Sequence, residues 1–203
     1  EALIVNDPAY RRRLMLSMLT EEPDAYLAQL QAAKLNDDVE VAHYAATAVA
    51  QISKESDLKL QQLERAFKTD PSAQNLNEYC DFLGEYLGSG LAEGRVAQIQ
   101  RQQYARLLAR RCEREDTLEL RIRYATALAD VGQIDEAQAV TDQLVLDVPE
   151  EQEVWMLCLR LAVMRRDGDE VHRVIDAIDK QHVYLSAANR EELAFWRNGE
   201  AAR

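Results

Sequence analysis

Apolar residues recur along this chain at intervals of three and four, the spacing of a helix with one buried face. In "NDDVEVAHYAATAVAQI", residues 36–52, Val41, Tyr44, Ala45, Ala48, Val49 and Ile52 form one such stripe. Asn36, Asp37 and Asp38 precede it with the short polar side chains that cap a helix start. Its alanines keep one side narrow enough for another helix to approach closely. The same reading places a helix over 7–19, with Asp7 as cap and Pro8 at the first helical position, and a second from Pro23 onward through Tyr26, Leu27, Leu30 and Ala33. Further helices are predicted over 57–67, 73–87, 95–112, 118–131, 135–146, 150–166, 169–179 and 186–196. Short polar connections between them favour antiparallel helical hairpins over long crossovers.

The hairpins carry an internal period. Tyr124, Ala125, Leu128, Gly132, Ala137, Leu144 and Pro149 have the spacing of the tetratricopeptide repeat, which this segment resembles: a unit of about 34 residues folded as helix, turn, helix. The small residues Ala125 and Ala137 sit where the paired helices cross, Gly132 permits the turn, and Pro149 ends the second helix. In the same phase Trp155 opens the next unit, although "RRDGDEVHRV" departs from the repeat's usual glycine and alanine placement. Pro71, with Leu63 and Ala66, ends an earlier unit that starts at Glu40 as helices 40–52 and 57–67. The unit after it uses Leu76, Tyr79, Cys80 and Leu83. Pro71 and Pro149 lie 78 residues apart, ten more than two repeats, which places an insertion near 88–97. The first 52 residues also read as a HEAT-like pair.

The expected fold is therefore all-α: a right-handed superhelical solenoid of antiparallel helix hairpins over 1–203 as a single domain. It comprises N-terminal helices at 1–39, tetratricopeptide-like repeats at 40–182 and a capping helix at 183–203. Leu193, Phe195 and Trp196 of that helix would cover the open end of the stack.

Composition narrows the function. Seven Gly and four Pro in 203 residues, with 47% hydrophobic and 30% charged content, suit a folded helical protein. A formal charge of −12 argues against nucleic acid as the main partner. The given chain has no apolar run of about 20 residues, the length of a spanning helix. Cys80, Cys112 and Cys158 are odd in number and far apart, reading as buried thiols in a reducing compartment.

Catalytic chemistry finds no constellation. His43 is far in sequence from His172 and His182, and no Cys-x-x-Cys pair is present, so a zinc site is not expected. His43 is read as a packing residue bonded to a loop carbonyl or a carboxylate. "GSGLAEG", residues 88–94, follows a helix and lacks the Lys-Ser/Thr pair of a phosphate loop, so its glycines read as a helix stop and a wide turn. No Ser/His/Asp arrangement appears. No catalytic residue, metal, cofactor or small-molecule substrate is expected.

One segment breaks the charge pattern. Residues 95–123 hold eight Arg against four acidic groups, while the rest of the chain holds 16 basic and 32 acidic. Arg101, Arg106, Arg110, Arg111 and Arg114 form a candidate basic patch, alternating with an apolar face of Val96, Ile99, Tyr104, Leu107, Leu108 and Cys112. The patch reads first as a solvated face paired with acidic neighbours, second as a dock for an acidic partner or anionic lipid.

The order of "NDPAYRRRLMLSML", "NDDVEVAHYAATAVAQI" and "LNEYCDFLGEYLGSGLAEG" resembles the soluble portion of the PelE-like family of bacterial Pel exopolysaccharide components. That resemblance implies a membrane anchor upstream of residue 1, a domain on the cytoplasmic side of the inner membrane, and PelD-like and PelF-like protein partners. Arg11, Arg12 and Arg13 suit the cytoplasmic flank of such an anchor. The tetratricopeptide resemblance in turn implies a concave groove lined by Asn77, Asp81 and Glu85, by Ile122, Thr126 and Ala129, and by Met156, Arg160 and Met164. Both resemblances imply a non-catalytic scaffold. The alternative is a soluble regulatory or chaperone-like adaptor with no membrane link.

Overall fold

The computed structural model describes residues 26–197, which contain helices and no strand. Nine helices occur among the described residues: α1 (Leu27–Ala33), α2 (Val39–Thr69), α3 (Ala73–Gly88), α4 (Gly94–Cys112), α5 (Leu118–Asp130), α6 (Ile134–Asp147), α7 (Gln152–Met164), α8 (Gly168–Lys180) and α9 (Ala187–Arg197). The helix expected over 7–19 lies outside the described residues, as do Arg11, Arg12 and Arg13. Close contacts divide the chain within α4, after Ala97, into two compact units.

The first unit is built on α2. Asp38 caps it by accepting from the Glu40 and Val41 amides, as the polar turn predicts. Leu30 and Ala33 of α1 then bury against Val41, Ala45, Ala48 and Ile52. The expected break between 52 and 57 does not occur: α2 runs for 31 residues without interruption. Ser53, Lys54, Glu55 and Ser56 are polar but include neither Gly nor Pro, and the Gln51 amide donates to Glu55 across them. The pair of helices assigned to 40–71 is thus one helix. On its C-terminal half α3 packs antiparallel. Phe67 meets Tyr79 at 6.2 Å between rings, Lys59 lies 4.4 Å over the Phe82 ring, and the Tyr86 hydroxyl donates to Asp57 at 2.7 Å.

In the second unit α5 packs on α6, α6 on α7, α7 on α8 and α8 on α9, and α5 also touches α7. The hairpin α7–α8 restates α5–α6 at an offset of 34 residues. Thr117 and Glu151 cap the first helices, and Gln133 and Asp167 hold the cap positions of the second. Buried positions recur at the same offset: Leu120 with Val154, Ala125 with Leu159, Leu128 with Ala162, Ala137 with Val171, and Leu144 with Ile178. The turns match as well. Gln133 N–H reaches the Leu128 carbonyl at 2.9 Å, and Asp167 N–H reaches that of Ala162 at 3.1 Å.

These closures need a left-handed residue just past the helix. Gly132 supplies one at φ 80°, and Arg166 stands at the equivalent place with φ 57°. His182, after α8, has φ 54°, with Val183 N–H bonded to the Ile178 carbonyl at 3.2 Å. The departure of "RRDGDEVHRV" from the repeat pattern is therefore a change of residue and not of backbone. After α9 begins, Leu193 is buried and Trp196 packs on the α7–α8 core, whereas Phe195 is half exposed and meets Trp196 edge-on at 5.3 Å. Residues 198–203 of the expected capping segment lie outside the described residues.

Arg166→Gly should raise stability by about 1 kcal/mol, because a side chain in the left-handed region costs about that much. Gly132→Ala, with no atom within 4 Å of the added Cβ, should lower it by a similar amount through φ alone. Urea midpoints at constant m-value read both; a destabilised Arg166→Gly protein would refute the strain.

Candidate functional site

The nine expected groove residues separate into two groups. Asn77 and Asp81 are half-buried and Glu85 is exposed, all on α3 in the first unit. The other six lie on α5 and α7, which pack directly. Ile122, Thr126 and Met156 are half-buried, Arg160 and Met164 exposed. Ile122 and Met156 are 34 residues apart, as are Thr126 and Arg160, so the two helices present equivalent rows. Arg160 ties the rows together by pairing with Asp130 at the end of α5. The Thr126 hydroxyl donates to the Ile122 carbonyl at 2.8 Å.

Ala129 needs correction. It is 1% exposed and belongs to the core with Ala125, Leu128, Ala137, Leu157 and Leu161, so its side chain closes the α5–α6 crossing rather than lining a groove. Asp130, one residue on, was not anticipated. Its signal was present, a carboxylate at the helix end 30 residues before an arginine on the next first helix, but only the packing of α5 on α7 makes that separation a contact.

The basic patch is also altered. Arg101, Arg106, Arg110 and Arg114 are exposed, but Arg111 is only 9% exposed and is removed from the surface. Arg101 and Arg106 make no hydrogen bond or ion pair with another described residue. Two arginines of the same segment outside the patch pair with acidic neighbours. Arg121 reaches Asp147 at 2.6 Å and Asp116 at 3.8 Å, and Arg123 lies 3.8 Å from Glu119. Hydrogen bonds from Arg121 and Gln143 hold the Asp147 carboxyl below its ordinary range. Arg123 also donates to the Tyr104 hydroxyl at 3.2 and 2.9 Å, joining α4 to α5.

The apolar face of α4 keeps Leu107 and Leu108 of the expected set and loses Val96 and Ile99. Val96 and Ile99 are each 56% exposed, while Ala97, Ala105, Leu107 and Leu108 are buried. Alanine, half-hidden in the sequence among arginines and glutamines, carries that face. Beside it lies a cleft of about 410 Å³ between Gln102, Ala105, Arg106 and Ala109 of α4 and Tyr124, Leu128 and Val131 of the α5 segment, lined also by Gln133 and Glu136. Tyr124 is held above its ordinary pKa by burial first, then by nearby acidic groups including Glu136.

Among the described residues no group of His, Cys, Asp and Glu could hold a metal ion. His43 is exposed on α2, its ring 6.1 Å from that of Tyr44, and its side chain makes no bond to a loop carbonyl or a carboxylate among the described residues. His172 Nδ1 donates to the Gly168 carbonyl at 2.7 Å. In "GSGLAEG", Gly90 and Gly94 take positive φ, and the Gln31 amide donates to the Ser89 carbonyl at 3.2 Å, fastening the turn to α1. Those glycines shape a turn between helices.

The three thiols are free, Cys80 and Cys158 buried and Cys112 half-buried. Burial pushes Cys158 up to about 12. Cys112 is raised by burial and by Asp116, with Arg111 and Arg121 pulling the other way. No helix among the described residues is long and apolar enough to cross a membrane. Comparison with known proteins finds no matching family model, curated protein or solved structure.

A thiol reagent at pH 8 should modify Cys112 first, and Cys80 and Cys158 only on unfolding. A pKa near 12 leaves Cys158 roughly one part in ten thousand as the nucleophilic thiolate. Peptide mass mapping after partial reaction checks the order; label appearing first on Cys158 would contradict it.

Proposed function

We propose that this chain is a non-catalytic interaction module, a tetratricopeptide-like solenoid that presents the α5–α7 row to a protein partner. The observation that carries this reading is the 34-residue recurrence of caps, buried positions and turns between α5–α6 and α7–α8. Stacked hairpins of that period place their first helices side by side and leave one row of side chains for binding. Ile122, Thr126 and Met156, flanked by Arg160 and Met164, offer aliphatic, thioether and cationic contacts to a helix or an extended segment. The 31-residue α2 is not a hairpin, so the repeat reading is centred on the second unit and the HEAT-like alternative for the first 52 residues is left to α1 and α2.

The resemblance of three sequence segments to the PelE-like family supports a biological setting for this module: assembly of an exopolysaccharide synthesis complex at the cytoplasmic face of the bacterial inner membrane. PelD-like and PelF-like components are then the partners. In that setting the membrane link is the anchor that the resemblance implies.

Co-purification with PelD-like and PelF-like proteins tests the reading. Met156→Glu and Arg160→Glu should each reduce partner recovery about tenfold, the scale of one hot-spot contact. The Arg160→Glu protein should keep its fold, because the Arg160–Asp130 pair is half exposed and contributes about 1 kcal/mol or less. Undiminished recovery by both variants, and by Asp81→Lys on α3, would remove the groove assignment. Sequencing the gene upstream of Glu1 separates an anchored scaffold from an adaptor without a membrane link.

A further inference from the structure

We propose that the cleft between α4 and α5 is a docking site for a short acidic segment of a protein partner. Its carboxylates would lie against the arginines of α4 and an aliphatic side chain would enter the cleft floor. This extends the binding-module reading to a second surface and does not depend on the α5–α7 row, because Tyr124, Leu128 and Val131 stand on the opposite side of α5 from Ile122 and Thr126 at 100° per residue.

Shape and charge coincide there. Two alanines one turn apart, Ala105 and Ala109, open space for a side chain against Leu128 and Tyr124. Arg106 lines the same cleft and is exposed, with no hydrogen bond or ion pair to another described residue. On the helical wheel Arg101 and Arg110 flank this face on either side, both exposed. Eight arginines against four acidic groups in 95–123 make this a basic stretch in a chain whose remainder has twice as many acids as bases. An acidic segment is therefore drawn to this place and repelled elsewhere, which gives it an address as well as an attraction. Glu136 of α6 also lines the cleft, and its charge would turn the segment's carboxylates toward α4. A long polyanion would meet the surrounding acidic surface, so a short peptide fits where RNA does not.

The probe is a fluorescein-labelled peptide of Glu-Glu-Leu repeats, with a Lys-Lys-Leu peptide of equal length as control and fluorescence anisotropy on the whole chain as readout. The acidic peptide should bind in preference to the basic one, and its binding should weaken as salt rises past about 0.1 M, where the Debye length has fallen to about 10 Å. Arg106→Glu should weaken it by about tenfold or more, Ala109→Leu should do likewise by filling the floor, and Arg160→Glu should leave it unchanged. Arg106 is exposed, so its variant keeps the test valid even where Ala109→Leu fails to fold. Equal binding of both peptides, or binding indifferent to Arg106→Glu, would overturn the proposal. Loss on Arg160→Glu alone would also overturn it, while leaving the α5–α7 row standing. Phosphatidylglycerol vesicles that bind through Arg106 when the acidic peptide does not would reassign the arginines to a membrane surface.

Discussion

The second unit depends on one backbone constraint: a left-handed residue immediately after a helix. At Gly132, Arg166 and His182 the chain turns back because the next amide bonds to a carbonyl five residues behind it. That bond satisfies a helix end and sets the direction of the following helix. The burial of Ala137 against Ala125, and of Val171 in the core with Leu159, follows from the direction so imposed. Where the residue is glycine the turn is free of side-chain strain. At Arg166 and His182 it is held by the packing on both sides of it, which is why the repeat persists after its sequence marker is gone.

Much of the helical order was legible because it is local chemistry. Asp38, Ser72, Thr117 and Asp167 cap where a short polar side chain precedes an apolar stripe, and Pro71 and Pro149 follow the ends of α2 and α6. The break assigned to 53–56 failed for the converse reason. Polar residues stop a helix only when they offer the backbone something better than the next helical bond, and Gln51 with Glu55 bridges the stretch instead.

The candidate site was less legible because it depends on partners distant in sequence. Arg111 and Arg110 are adjacent in the chain and differ in one respect, the direction each takes from α4: Arg111 falls among buried neighbours and Arg110 is exposed. Ala129 fits the groove pattern by position yet is absorbed by the α5–α6 crossing, since a methyl group is small enough to be covered entirely. The cleft beside α4 has no sequence signature of its own. It exists because Ala105 and Ala109 are too short to fill the space opposite Leu128, and pattern reading registers what side chains do, seldom what they leave open.

The unbroken α2 carries a consequence for how this protein can change. Its N-terminal half holds α1 and its C-terminal half holds α3, with no loop between to absorb a change of length. Removing one residue from its middle would rotate one half against the other by about 100° and draw them about 1.5 Å closer. The face of Val41, Ala45, Ala48 and Ile52, which holds α1, would then turn by that angle relative to Leu60 and Phe67. A loss of seven residues restores the rotation to within about 20°. Residues 53–56 can therefore accept many substitutions and almost no insertion or deletion: in this helix the count of residues is conserved by geometry where their identity is not.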